Sequence, residues 1–416
     1  MKQPGIQWEG LSNNEKGTLV HTALSMAFID SDAASEVQPL LRPKMPELDC
    51  VRGIAILMVL FYHGFGSRQG AEAFAGFPKL VVWAASPGWM GVNLFFALSG
   101  FLITGILLDS KHHSQYYRRF YLRRALRILP AYYGLLVILA ILGRYGLQDE
   151  KVSWAFFGLS AIYLANVTVL FGVPMQFAVL WSLAVEEHFY LIWPIMVRNV
   201  SRRSVGVFAV VVAAAVTLAR AATWWPGHTY SGFSIYYTWL VADGLALGSL
   251  LAVLMRGPLG TRKGLTFFVL AAVLGAAVLL LDVPFHLHFA GGALHITALN
   301  LMCTAAVGAA LLLGASSWSF LVQHPTLRFF GEISYGLYLI HMLIFNIFDN
   351  LQRQFLPRLP LFKGHFDVMV VRFLICGSLA IGLAFLSRRY FEEPFLRLKD
   401  RPPSAATNAV REAAAA

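Results

Sequence analysis

The sequence predicts an all-α integral membrane protein with about ten transmembrane helices and one interfacial or re-entrant element. Of its 416 residues, 57% are hydrophobic and only 13% are charged, whereas about a quarter of the residues in a soluble chain are charged. Apolar stretches of about 20 residues, the length that crosses a bilayer as a helix, recur along the chain. They are apolar on all sides and lack the alternating pattern of an outer-membrane barrel.

The predicted spans follow one another with short connections. They cover residues 51–66, 88–108, 128–145, 178–197, 205–222, 233–254, 264–282, 293–315, 332–350 and 368–387. An eleventh apolar stretch, 153–171, is assigned from the distribution of charge. If it does not cross the bilayer, the basic loops at 111–127, 198–203 and 256–263 all lie inside, where basic loops are usually found. The segment 153–171 is therefore predicted to be interfacial or re-entrant.

This topology puts both termini in the cytoplasm and divides the chain into three parts. Residues 1–46 and 397–416 are predicted to be disordered cytoplasmic tails around a membrane domain at 47–396. The loop 351–367 is an exception, because its basic residues fall outside. The net charge of +11 resides mostly in short loops between apolar segments. This pattern indicates contact with the lipid bilayer and no nucleic-acid partner.

No metal site, disulfide framework or permanently bound cofactor is predicted. The three cysteines lie far apart, in or beside apolar segments: Cys50, Cys303 and Cys376. A histidine group at His286, His288 and His295 falls in a loop without a companion cluster of carboxylates. Its spacing is therefore not read as a zinc site.

The first span carries groups that membrane helices normally exclude. Asp49 and Arg52 stand at its start, and His63 stands deep in its apolar run, next to Tyr62. Arg52 and His63 share a helical face about 16 Å apart along the axis. Because ionisable groups inside a membrane are costly, each is a candidate functional residue.

Polar residues in the next two spans have two interpretations each. Asn93 and Ser99 either take part in ordinary helix packing or line a pocket. Arg124 and Arg127 are three residues apart and share a helical face at the cytoplasmic mouth of the third span. Their guanidinium groups suit phosphate oxygens, but anchoring to lipid headgroups also accounts for basic residues here.

The fourth span contains two adjacent carboxylates. Glu186 is four residues from both Ser182 and Tyr190, so these three side chains line one face. Glu187 points about 100° away. The glutamates belong to a pocket, form a structural ion pair with an arginine of a neighbouring helix, or do both. The candidate partners are Arg52, Arg124 and Arg372.

Two later spans carry further polar groups. Asp243, in the sixth span, is either a paired structural acid or a functional one. Ser334, Tyr338 and His341 occur at i, i+4 and i+7 of the ninth span and form a polar stripe. Hydrogen bonding within packed helices is the simpler interpretation for Tyr338, whereas the role of His341 stays open.

Five motifs occur in an order typical of one known family. They are Leu48-Asp-x-x-Arg-Gly-Ile-Ala with Tyr62-His63, Phe95-Phe-Ala-Leu-Ser-Gly-Phe-Leu-Ile, Tyr121-Leu-Arg-Arg-Ala-Leu-Arg-Ile-Leu-Pro, Trp181-Ser-Leu-Ala-Val-Glu-Glu-His-Phe-Tyr and Ile333-Ser-Tyr-Gly-Leu-Tyr-Leu-Ile-His. Over residues 47–396 the chain resembles the acyltransferase 3 family of bacterial membrane acyltransferases. It departs from the family pattern at two positions. The family commonly has glutamine where His188 stands and often has an arginine near Val241.

The resemblance implies a multi-pass enzyme of the bacterial inner membrane. Such enzymes move an acyl group, often acetyl from acetyl-CoA, to hydroxyls of cell-envelope sugars, lipid-linked glycans or small molecules. The resemblance makes His63 the catalytic imidazole, Arg52 its partner motif residue and Glu186 part of the active-site lining. It also makes Arg124 and Arg127 an acyl-donor or structural pair. The residues expected to line the pocket are Asp49, Tyr62, Asn93, Ser99, Ser182, Glu187, Tyr338 and His341.

The expected chemistry is O-acyl transfer with acyl-CoA as co-substrate. Imidazole suits the role of base, because its unperturbed pKa lies near neutrality. Direct transfer and a transient acyl-histidine both fit the sequence, and the acceptor and oligomeric state stay open. A second hypothesis is a transporter or flippase for a lipid-linked glycan or acyl-carrying substrate. The motifs and the lack of an evident inverted repeat count against it.

Overall fold

The computed structural model describes residues 41–42, 44–67, 70–144, 152–223, 236–256, 266, 268–277, 293–355 and 365–398, and these residues form helices and turns without a strand. The helices are α1 Pro46–Phe61, α2 Gly76–Ala85, α3 Gly91–Asp109, α4 Tyr116–Arg144, α5 Trp154–Ala161, α6 Leu180–Asn199, α7 Arg202–Thr223, α8 Thr238–Val241, α9 Asp243–Leu254, α10 Phe268–Ala277, α11 Ala293–Gly314, α12 Pro325–Phe355, α13 Phe366–Leu386 and α14 Glu393–Leu398.

Seven helical segments among these residues are long and apolar enough to cross a membrane. They are Pro46–Gly66, Gly76–Asp109, Tyr116–Gly143, Arg202–Thr223, Leu294–Gly314, Ser319–Phe355 and Phe366–Leu398. The all-helical class and the presence of several membrane helices agree with the sequence. The number of ten spans and the cytoplasmic location of both termini stay predictions. Both predicted tails lie almost entirely outside the described residues, as do His286, His288 and most of the loop 351–367.

Two predicted segments have a finer structure than expected. The stretch 153–171 contains the eight-residue helix α5 and a 3₁₀ turn at Ala165–Phe171. Eight helical residues extend only about 12 Å, which is too short to cross the hydrocarbon layer. In the predicted span 233–254, the described part is interrupted at Ala242, between α8 and α9.

Reciprocal glycine contacts join α1 to α12. A Cβ atom on Gly53 would overlap the backbone carbonyl of Leu327, and one on Gly331 would overlap the carbonyl of Asp49. Each helix therefore presents a glycine where the other presents backbone. Close backbone approach through small residues is a common way to pack membrane helices, because van der Waals contact replaces the hydrophobic effect there. The contact fixes α1, which carries Arg52 and continues into the turn that holds His63.

A second reciprocal contact joins α3 to α9. A Cβ atom on Gly100 would overlap the carbonyl of Leu245, and one on Gly248 would overlap the carbonyl of Ala97. Ser249 strengthens this crossing by donating a hydrogen bond to the Gly100 carbonyl at 3.3 Å. The wall that carries Ser99 is thereby held against α9.

Arginine–aspartate pairs connect further helices. Asp243 accepts two bonds from Arg220, at 2.9 and 2.5 Å, so it is a paired acid. Arg372 makes a similar bidentate contact with Asp349, at 2.6 and 2.8 Å. All four side chains are at most 4% exposed. Because an unpaired charge in such a position is strongly destabilising, these pairs constrain which helices can be neighbours.

Candidate active site

His63 lies where α1 changes its helical geometry. The regular α-helix ends at Phe61, and Tyr62–Gly66 form a π-helical turn. A π turn contains one additional residue per turn, and such turns are frequent at functional sites. The half-buried imidazole of His63 therefore projects from an irregular part of the helix, at the end opposite to Arg52.

His63 contacts a second histidine. The Nδ1 atom of His63 lies 3.3 Å from Nε2 of His341, and the two ring centroids are 5.0 Å apart. His63 Nδ1 is also 3.0 Å from the carbonyl oxygen of Val59, and His341 Nδ1 is 3.0 Å from the carbonyl oxygen of Leu337. His341 is completely buried. The two imidazoles form a dyad that was not apparent from sequence, because they are 278 residues apart.

The turn that carries His63 is connected to the Arg372–Asp349 pair. Arg372 Nη1 donates a hydrogen bond to the backbone carbonyl of His63 at 3.2 Å. Its guanidinium carbon also lies 4.4 Å from the ring centroid of Phe345. The arginine thus links α12, α13 and the end of α1. Arg372 was one of the sequence candidates for pairing with the glutamates of α6, and the structure pairs it with Asp349 instead.

A cavity of about 860 Å³, including its open mouth, lies between α1, α3, α4, α6 and α12. Its lining combines apolar side chains with charged and hydroxyl groups. The polar residues are Arg52, Ser99, Arg124, Arg127, Ser182, Glu186, Glu187, Tyr190, Ser334, Tyr335 and Tyr338. Three cations and two acids line one space in a protein made mainly of apolar helices. Placing so many charged groups among apolar helices costs free energy, and such a cluster is typical of a binding site.

Hydroxyl groups hold Glu186 in this cavity. Ser99 Oγ donates to one carboxylate oxygen at 2.8 Å, and Tyr190 Oη donates to the other at 3.1 Å. No arginine among the described residues forms an ion pair with Glu186 or Glu187, and Arg52 pairs with Asp49 at 2.8 Å. Among the described residues, hydroxyl donors hold Glu186 in place of a direct ion pair.

The paired arginines of α4 face the cavity without hydrogen bonds to other described residues. The Arg124 guanidinium carbon lies 5.5 Å from the ring centroid of Tyr190 and 5.9 Å from that of Phe120. The side chain of Arg127 is exposed, yet it also lines the cavity. Their N–H groups are consequently available to an anionic ligand.

Tyr338 lies between the cavity and the histidine dyad. Its hydroxyl is 2.6 Å from Ser182 Oγ in the cavity wall. Its ring centroid is 5.8 Å from that of His341. A short series of side chains thus runs from the cavity through Tyr338 and His341 to His63. His63, His341 and Tyr62 are not part of the cavity lining itself.

Other predicted residues have separate positions. Asn93 donates to Asn300 Oδ1 at 2.7 Å and does not line the cavity, so it connects α3 to α11. His188 contacts Thr238 Oγ1 at 2.7 Å. Asp49 does not line the cavity, but it pairs with Arg52, which does. No group of three or more possible metal ligands occurs in the part of the chain that the structure describes.

Most of the chain matches one known protein family. A family model for an acyltransferase domain matches residues 45–388, which is more than half of the chain. The chain belongs to the acyltransferase 3 family. The matched region contains both histidines of the dyad and every polar residue of the cavity.

Relatives of this acyltransferase domain occur in several bacteria. The chain is 28% identical over 334 residues to the peptidoglycan O-acetyltransferase OatA of Listeria monocytogenes, covering 74% of this chain and 50% of that protein. It is 30% identical over 331 residues to the putative peptidoglycan O-acetyltransferase YrhL of Bacillus subtilis, covering 71% and 48%. The chain spans about half the length of these two relatives. No solved structure matches it.

A third relative matches more of the chain. The putative O-acetyltransferase SAS0844 of Staphylococcus aureus is 25% identical over 386 residues, covering 84% of this chain and 57% of that protein. The three relatives therefore share the name of one reaction class, the transfer of an acetyl group to oxygen.

The sequence did not indicate that two charged residues, Asp349 and Arg372, lie beside the dyad. Asp349 lies at the end of a predicted span, and Arg372 lies inside another. Their presence in apolar helices was the signal that could have identified them, because buried charges require partners. What the sequence could not supply was the contact between Arg372 and the carbonyl of His63, which depends on how three helices pack.

Proposed function

We propose that this chain is a membrane O-acyltransferase that moves an acetyl group from acetyl-CoA to a hydroxyl of a cell-envelope glycan. The observation that supports this proposal is the arginine-lined cavity, whose wall residue Tyr338 packs against His341, which in turn contacts His63. Family membership supports the reaction class. The names of two relatives make peptidoglycan the first acceptor to test, and lipid-linked sugars and small hydroxyl compounds are the next.

Arg124 and Arg127 are the proposed contacts for the donor. Coenzyme A is strongly anionic, and guanidinium groups bind phosphate oxygens through paired hydrogen bonds. The proposed topology sets these arginines towards the cytoplasm, where acetyl-CoA is made. Apolar side chains such as Phe95 and Leu98 line the same cavity and provide a surface for the uncharged pantetheine arm. For the reaction, the thioester must reach beyond Tyr338 to His63, which does not line the cavity itself.

His63 is the proposed base for the acceptor hydroxyl. The hydroxyl oxygen attacks the thioester carbonyl carbon while His63 takes the hydroxyl proton. The carbon–sulfur bond then breaks, and the coenzyme A thiolate leaves and receives that proton. The products are an acetyl ester and free coenzyme A. No redox step or bound metal is needed for this balance. General base catalysis of this kind contributes about 10²- to 10⁴-fold in rate.

The first experiment compares His63→Gln with the native protein in proteoliposomes. Acetyl-CoA and peptidoglycan-derived glycan chains are supplied, and coenzyme A thiol and alkali-labile acetyl ester are both measured. We expect equal amounts of the two products from the native protein. We expect a loss of at least about 100-fold for His63→Gln, because the base is absent. The exposed His365 provides a matched control, since His365→Gln removes an imidazole remote from the cavity.

The same assay separates acyl transfer from transport. A transporter or flippase would move the glycan or acyl-carrying substrate across the bilayer without releasing thiol. Glycan-dependent thiol release with His63→Gln as active as the native protein would reject His63 as the base. Movement of the glycan without any thiol release would reject the enzyme assignment itself.

A further inference from the structure

The contacts of the histidine dyad determine where its protons lie. A carbonyl oxygen can only accept a hydrogen bond, so a histidine nitrogen that is bonded to one must carry a proton. His341 Nδ1 lies 3.0 Å from the Leu337 carbonyl, and His63 Nδ1 lies 3.0 Å from the Val59 carbonyl. Each carbonyl belongs to the residue four positions earlier in the same helix. Both rings therefore carry a proton on Nδ1.

The contact between the rings is consistent with this assignment. If neutral His341 has its proton on Nδ1, its Nε2 atom carries a lone pair and accepts. That atom is 3.3 Å from His63 Nδ1, whose proton is thus shared between the Val59 carbonyl and His341. If His63 carried its proton on Nε2 instead, the lone pair on its Nδ1 would face two acceptors, the Val59 carbonyl oxygen and His341 Nε2. Because His341 is fully buried, water cannot easily compensate for such a repulsive arrangement.

We infer that His341 is a positioning residue that holds His63 in the Nδ1–H tautomer and makes Nε2 its reacting nitrogen. His341 also stabilises the charged ring. When His63 takes a proton on Nε2, its Nδ1–H becomes a stronger donor, and His341 accepts that bond without a charge of its own. In this chain a neutral imidazole occupies the position that an acid occupies in a serine hydrolase triad. The reaction itself rests on the proposed function.

Nuclear magnetic resonance of ¹⁵N-labelled histidine identifies the tautomer of His63 in the absence of substrate. The protein is labelled with ¹⁵N-histidine and reconstituted in lipid, and the His63 signals are assigned by their loss in His63→Gln. Protonated and unprotonated ring nitrogens of a neutral imidazole resonate far apart, so the proton position is read directly. We expect the proton on Nδ1 of His63. A proton predominantly on Nε2 in the native protein would overturn the inference, whether or not the protein transfers acetyl groups.

Two variants at one position separate positioning from simple support of the fold. His341→Leu removes the acceptor, whereas His341→Gln keeps an oxygen that can accept from His63 Nδ1. We expect a mixture of His63 tautomers in His341→Leu and mainly the Nδ1–H form in His341→Gln. An unchanged tautomer in His341→Leu would show that the Val59 carbonyl suffices, and would reject the role of His341.

Kinetics provide the second readout. Loss of a hydrogen bond to a charged group lowers kcat by about 10- to 100-fold. We expect this loss in His341→Leu, with KM for acetyl-CoA unchanged and with partial recovery in His341→Gln. Equal losses in both variants, with His63 tautomers as predicted, would reject stabilisation of the charged ring. Correct tautomers in a native protein that releases no thiol would instead reject the proposed function.

Discussion

Arg124 and its neighbour Arg123 show how a single position on a helix decides the role of a charge. Both are arginines of α4, but only Arg124 lines the cavity, whereas Arg123 is exposed and does not line it. The sequence indicated that Arg124 and Arg127 share a face, because they are three residues apart. It could not show that this face meets Glu186 and Tyr190, since that depends on the packing of α4 against α6.

The neighbouring arginines allow a matched test of donor binding. We expect Arg124→Ala to raise KM for acetyl-CoA by about 10- to 100-fold, because a charge-assisted hydrogen bond to phosphate is lost. We expect Arg123→Ala to leave KM nearly unchanged. Initial rates measured over a range of acetyl-CoA concentrations give both values. A similar KM in the two variants would remove Arg124 from the donor site.

Residues inside the spans were easier to identify than to pair. Costly groups such as Glu186, Asp243 and His341 stood out from apolar sequence, and each lies in a polar contact. Each also has a partner on another helix, which the pattern of its own helix does not reveal. The hydroxyls that hold Glu186 illustrate the limit, because Tyr190 is one turn away whereas Ser99 is 87 residues away.

At the scale of elements, apolar length predicted the helices well and their ends less well. The span predicted at 293–315 corresponds to α11, Ala293–Gly314. The span predicted at 332–350 lies within the longer α12, Pro325–Phe355, because the residues that flank the predicted span continue the same helix. Likewise, α4 begins at Tyr116, so the basic segment before the span at 128–145 is helical too. Hydropathy detects the apolar part of a helix and does not detect the more polar residues at its ends.

The glycine contact between α1 and α12 makes a prediction about stability. Gly53→Ala inserts a methyl group where the Leu327 carbonyl lies, so the helices must separate. We expect a loss of about 1–3 kcal/mol, as for other overpacked sites, seen as a lower midpoint of thermal unfolding in detergent. Gly143→Ala is the control, because no atom lies within 4 Å of its added carbon. Equal midpoints for the two variants would contradict the close approach.

At the scale of the whole molecule, the sequence predicts which loops face each side of the membrane. The predicted topology sets the loop at 198–203 inside and the connection between α1 and α2 outside. Ser201 and Ala73 are exposed residues in these two regions. The topology determines whether the arginines and the histidine dyad meet substrates from the same side or from opposite sides.

Thiol labelling of intact cells tests this arrangement. Cysteines are introduced as Ala73→Cys or Ser201→Cys after Cys50, Cys303 and Cys376 have been changed to alanine. We expect a membrane-impermeant maleimide to label Ala73→Cys in intact cells, and to label Ser201→Cys only after permeabilisation. Labelling of Ser201→Cys in intact cells would invert the assigned orientation and would put the cavity mouth on the outer side.

The spacing of the arginine–aspartate pairs has a consequence for how the chain enters the membrane during synthesis. Arg220 and Asp243 are 23 residues apart, and so are Asp349 and Arg372. A lone charge near the centre of a membrane helix costs about 2.5–3.5 kcal/mol to insert. The partner lies on a helix that follows later in the chain, so these two charges neutralise each other when both helices are inserted. If translation stalled after the first residue of an arginine–aspartate pair and before the second, the first helix would hold an uncompensated charge in the membrane.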